Sequence, residues 1–128
     1  MKTRAMMLAA ALLAVSACGT EPVRRVQEIF QPAKGQTALQ AGLKQYEDGE
    51  YAESLKNLQS AIDLGLGERD RVNAHKHAAF IHCSANRTRQ CREEFRKALA
   101  VDPSMELAPA EVGHPVWGPV FRSVKAGR

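Results

Sequence analysis

From position 37 onward the apolar residues recur at helical spacing. Ala38, Ala41, Gly42, Leu43 and Tyr46 form a stripe that breaks at Asp48-Gly49, a pair suited to a turn. Tyr51, Ala52, Leu55, Leu58, Ala61, Ile62 and Leu64 make the face of a second helix, which Gly65-Leu66-Gly67 ends. The two segments predict a helical hairpin. Val72, Ala74, Ala78, Ala79, Phe80, Ile81 and Cys83 then surround a third helix with apolar positions, so it should be largely buried, ending near Asn86 in a left-handed cap. A fourth helix is expected from about Thr88 to Val101, with Cys91, Phe95, Ala98 and Leu99 on one face, stopped by Asp102-Pro103.

The second pair repeats the first. Gly42, Gly49, Tyr51, Leu58, Ala61 and Ile62 correspond to Ala79, Asn86, Thr88, Phe95, Ala98 and Leu99, each shifted by 37 positions (79 − 42 = 37). Self-similarity of this kind indicates a stacked repeat, with small residues where paired helices must approach. Gly42, Gly49, Tyr51, Ser54, Leu58 and Ala61, then Ala79, Cys91, Phe95, Ala98 and Pro103, resemble the tetratricopeptide repeat signature. Leu66 stands where that signature has its first terminal proline, and Asn86-Arg87-Thr88 replaces its Gly-x-Tyr turn. The resemblance covers residues 37–103 and implies an all-α fold of two hairpins that binds protein rather than catalysing a reaction.

Two repeats leave apolar faces uncovered, so a cap is required. The tail, residues 104–128, offers Val116, Trp117, Val120, Phe121 and Val124 at helical spacing, with Pro119 near the first turn. The helix is expected either to cap the array or to dock a partner through Trp117 and Phe121; the sequence leaves both open. The string at 111–121 is also similar to small repeat lipoproteins of type VI secretion systems, which implies an accessory role in an envelope-spanning complex.

The N-terminus changes the compartment. Met1-Lys2-Thr3-Arg4 is a short cationic start, and the apolar run at 5–15 is too short to span a bilayer as a stable helix. Val15-Ser16-Ala17-Cys18 resembles the lipobox of bacterial lipoproteins. That likeness implies cleavage after residue 17, acylation (palmitate) of Cys18 and anchoring without spanning. Gly19 follows the cysteine instead of an inner-membrane retention aspartate, so the expected address is the outer membrane, facing the periplasm. Residues 18–36, with Pro22, Pro32 and Gly35, read as a tether.

Processing would leave 111 residues (128 − 17), enough for one compact domain. It would also remove Lys2 and Arg4, reducing the formal charge from +4 to +2. Arg87, Arg89, Arg92, Arg96 and Lys97 cluster, but a solvated helix face accounts for them, and nucleic acid is not expected as a partner. With Cys18 acylated, Cys83 and Cys91 remain, and the repeat alignment sets them across the second hairpin, where an oxidising compartment predicts a disulfide. His75, His77 and His82 share a helix without any accompanying ligand motif, so no metal is expected; a metal-binding envelope protein remains a rival reading. No nucleophile elbow or phosphate loop is present, and neither catalytic residues nor cofactors are expected.

The expectation is therefore a lipid-anchored helical-repeat adaptor whose inner face, formed by the first and third helices, contacts envelope proteins. Gln40, Lys44, Gln45, His75 and His82 are the candidate contacts, with Trp117 and Phe121 as tail anchors. The alternatives are a regulator or anchor of peptidoglycan-active enzymes and a pilotin-like chaperone.

Overall fold

The computed structural model describes residues 32–127. The segments expected to be a signal peptide and, all but its end, a tether lie outside them, as does Cys18. Six helices follow in order: α1 (Gln36–Glu47), α2 (Tyr51–Leu64), α3 (Glu68–Ser84), α4 (Thr88–Val101), α5 (Pro109–Val112) and α6 (Trp117–Ala126). Among the described residues there is no strand, and no helix is long and apolar enough to cross a membrane. The fold is all-α: two tetratricopeptide-like hairpins, α1/α2 and α3/α4, followed by a C-terminal helix packed on the second.

Small residues where the paired helices cross have contacts that explain them. A Cβ on Gly42 would lie 3.0 Å from the Leu58 side chain, so glycine lets α1 and α2 approach. At their crossing the buried Ser54 hydroxyl donates to the Gly42 carbonyl at 2.7 Å. Cys91 is the counterpart of Ser54, 37 positions on, and here the cross-helix link is covalent: Cys83 and Cys91 are joined with S–S 2.00 Å and Cα–Cα 5.1 Å. The turns correspond as well. Gly49 and Asn86 occupy equivalent places and both take the left-handed conformation, at φ 80 and φ 60, a conformation that asparagine tolerates better than most residues with a side chain.

Two apolar clusters meet at α3. Leu39, Leu58 and Ala61 of the first hairpin pack with Leu66 and with Ala74, Ala78 and Ile81 of α3. Phe80 and Cys83 of the same helix pack instead with Phe95 and Leu99 of α4, and with Phe121 and Val124 of α6. Leu66, where the repeat signature has proline, is thus a core residue.

The structure also moves some boundaries. α3 begins at Glu68, four residues before the first apolar position, Val72. Its opening turn is polar, so hydrophobic spacing does not register it, while Glu68 and Asp70 suit the positive end of the helix dipole. Helix α5 was not expected from periodicity because one turn shows none. Its signal is Pro109 at the first helical position and Glu111 two further on, whose carboxylate accepts from the Ala108 N–H at 2.9 Å.

Candidate partner-binding faces

Helices α1, α3 and α6 lie side by side and together form the inner face of the array. At 100° per residue, Asn73, Lys76, His77 and Phe80 share one side of α3. The Tyr46 ring meets His77 edge-on at 4.9 Å, His77 meets Phe80 at 5.7 Å, and Phe80 stacks on Trp117 at 4.4 Å. His114 stacks on the other side of Trp117, with centroids 3.3 Å apart. The result is a row of rings running from the first hairpin to the tail, half-buried at Tyr46, His77, His114 and Trp117.

Glu111 ties this row together. Its carboxylate accepts from Lys76 Nζ at 2.8 Å, and its carbonyl accepts from the Trp117 indole N–H at 3.0 Å. Burial pushes the Glu111 carboxyl up, but the Lys76 and Ala108 hydrogen bonds outweigh it and hold the pKa below its ordinary value. His77 is shifted the other way for an imidazole: burial lowers its pKa and favours the neutral ring. Its Nδ1 donates to the Asn73 carbonyl at 2.9 Å, which leaves Nε2 as an acceptor.

The structure distributes the sequence-expected contact residues over several environments. Gln40 and Lys44 are exposed on α1, Lys44 paired with Asp48 at 2.7 Å. Gln45 does not face the interior of the array; its amide pairs with Asn57 of α2 at 2.7 Å. His75 and Phe121 are core residues, 7% and 2% exposed, and present almost nothing to a partner. His75 Nδ1 lies 2.7 Å from Glu94, which also accepts from Lys97 at 2.7 Å. Burial of Glu94 raises its pKa, and the His75 and Lys97 bonds more than reverse that, leaving it lowered. His82 points away from the inner face, toward α4, where its Nδ1 accepts from Arg87 Nε at 2.9 Å. Burial and Arg87 both lower its pKa.

For the two histidines the physical reason is one helical rotation. Residues 75 and 82, seven apart, do share a side of α3, but it is the side opposite Asn73, Lys76, His77 and Phe80. Sequence reasoning missed Tyr46, Lys76, His77 and Glu111 as inner-face residues. The signal was the spacing 73, 76, 77, 80, masked on a helix with buried residues on several sides. Phe121 packs on Phe95 at 5.2 Å and Trp117 on Phe80, so α6 covers the end of the second hairpin. Among the described residues no three His, Cys, Asp or Glu side chains converge as a metal site would require.

Fold and faces together define a tetratricopeptide-like helical-repeat protein. Compared with known proteins, the chain matches no family model and no solved structure. It is similar to Photosystem I assembly protein Ycf3 of Synechococcus sp. (strain CC9605), 33% identical over 79 residues, which are 60% of this chain and 46% of that protein. The Ycf3 of Synechococcus sp. (strain CC9902) is 32% identical over 72 residues, 56% of this chain and 42% of the relative. That of Parasynechococcus marenigrum (strain WH8102) is 36% identical over 58 residues, 45% of this chain and 34% of the relative. The chain thus spans less than half the length of these relatives.

Proposed function

We propose that this protein is a non-catalytic adaptor that binds protein partners during assembly of a larger complex, held at a bacterial envelope by an acylated Cys18. The observation that carries the reading is the inner face, where half-buried Tyr46, His77 and Trp117 form one surface across three helices. Rigid aromatic groups beside hydrogen-bonding side chains give a partner large contact area at low ordering cost. Similarity to proteins named for photosystem I assembly supports an assembly role, although not that machine. The lipobox-like Val15-Ser16-Ala17-Cys18 supports anchoring, and Gly19 supports the outer membrane, facing the periplasm. The more specific reading, an accessory of a type VI secretion complex, rests on the string at 111–121. Within that string Glu111, Trp117 and Phe121 also serve the fold, which weakens the string as a mark of partner choice.

The test is crosslinking of the full acylated protein in its native envelope through a photoreactive residue at Asn73, with mass spectrometry of the adducts and of the mature N-terminus. Adducts to subunits of one envelope complex, together with an acylated Cys18, are expected. Adducts chiefly to peptidoglycan-active enzymes would move the function to regulation of the cell wall, and an unmodified Cys18 would remove the anchor.

A further inference from the structure

Helices α2 and α4 make no contact with each other; α3 alone bridges them. A valley therefore runs along the outer side of the array, opposite the inner face, with Ile81 and His82 of α3 at its floor. Two hollows of about 460 and 690 Å³ share Leu55 and follow α2 from Tyr51 to Leu64, about 20 Å of helix. A third of about 410 Å³ joins them at His82 and lies against α4.

The two walls differ in chemistry. On the α2 side, Tyr51 and Leu64 are 48% and 52% exposed, the two most exposed large apolar residues described. On the α4 side the free charge is arginine. Glu93 is taken by Arg96 at 2.6 Å, and Glu94 by His75 and Lys97, each at 2.7 Å. Arg87 and Arg89 are exposed and form no ion pair with any described residue. Every lysine from Lys44 onward, by contrast, has a carboxylate partner. Lys56, Gln59, Ser60 and Asp63 line the same stretch of α2, so this wall is an apolar edge of Tyr51, Leu55 and Leu64 set among polar side chains. That edge, facing guanidinium groups without a carboxylate partner, is complementary to a ligand that carries hydrocarbon on one edge and carboxylate on the other, since guanidinium forks bind carboxylates in a bidentate manner.

We propose that this valley is a second docking site and takes an amphipathic segment of a partner protein. The segment lays its apolar edge on Tyr51, Leu55 and Leu64 and its acidic edge on Arg87 and Arg89. The proposal rests on the adaptor reading and deepens it: one partner on the inner face and another in the outer valley would let a single small domain join two proteins.

The experiment uses the full-length protein with benzoylphenylalanine in place of Leu64, or separately of Asn73, irradiated with native envelope vesicles, and the adduct peptides are sequenced. Leu64 adducts should map to a segment with apolar residues at helical spacing and Asp or Glu on the adjoining side. The charge reversal Arg87→Glu with Arg89→Glu should lower the Leu64 adduct by about tenfold or more, while the Asn73 adduct and the circular dichroism spectrum stay unchanged. The idea is overturned by Leu64 adducts to lipid or to a second copy of this chain, by adducts indifferent to the charge reversal, or by none. Asn73 adducts that persist without Leu64 adducts remove the valley alone; loss of both removes the adaptor reading with it.

Discussion

Replacing Phe121 by alanine tests whether α6 holds the repeat array together. The ring is 2% exposed and sits edge-to-face on Phe95 at 5.2 Å. A buried aromatic covers at least about 150 Å², or roughly 4 kcal/mol at about 25 cal/mol per Å², of which the alanine methyl retains a part. Loss of the ring pair with Phe95 adds about 1 kcal/mol, so a net destabilisation of about 3 to 5 kcal/mol is expected, as for other buried aromatics. A domain of this size has about 5 to 14 kcal/mol in total, and the thermal midpoint should drop by about 15 to 30 °C. Urea titration followed by far-ultraviolet circular dichroism and by emission of Trp117, the single tryptophan, gives the free energy from two probes. Both midpoints should fall together, because Phe121 shares its core with Phe95 and Leu99. A loss below about 1 kcal/mol with unchanged Trp117 emission would refute the capping role.

The Cys83→Ser, Cys91→Ser double variant should lose about 2.5 kcal/mol, the chain-entropy value for closing a loop over a sequence separation of 8; equal urea midpoints for variant and parent would contradict that. Glu94 has a lowered folded-state pKa, so its stabilisation is complete above the ordinary carboxylate range and disappears as pH falls through the lowered value. Glu94→Gln should therefore cost about 1 to 3 kcal/mol at neutral pH and flatten the stability profile below about pH 4.3, as read from urea midpoints at successive pH values. The His77 pKa is also lowered, so its contribution is full above the ordinary imidazole range and declines below about pH 6.5; His77→Gln should remove that upper step, and an unchanged profile would count against it. Gly118→Ala places a Cβ 2.6 Å from the Val112 carbonyl oxygen and should destabilise by about 1 to 3 kcal/mol, measured by thermal unfolding.

Much of the architecture is readable from the chain because the helices are amphipathic and the repeat makes each hairpin a check on the other. The match of Gly49 with Asn86, and of Ser54 with Cys91, carries turn conformation and helix approach across 37 positions. The faces are less legible for a reason specific to α3. Ala74, His75, Ala78, Ala79, Phe80, Ile81 and Cys83 are buried on several sides of it, so periodicity does not say which of its polar residues look inward. Spacing alone gives His75 and His82 their mutual phase but not the side of α3 on which they lie. The role of Glu111 depends on contacts with Lys76 and Trp117, 35 and 6 residues away, that no local pattern encodes.

The placement of α6 bears on how such a protein grows. It rests against α3 and α4 where the first helix of another hairpin would lie, so it works as a terminator whose binding surface is the end of any unit that resembles the second hairpin. An extra copy of that hairpin spliced in after Pro103 should be accepted provided it brings its own counterparts of Phe80 and Phe95, the residues that Trp117 and Phe121 grip. Array length in this architecture is then a modular variable, set by how many units precede the terminator, and a lineage or a designer can extend the inner surface without rebuilding either end.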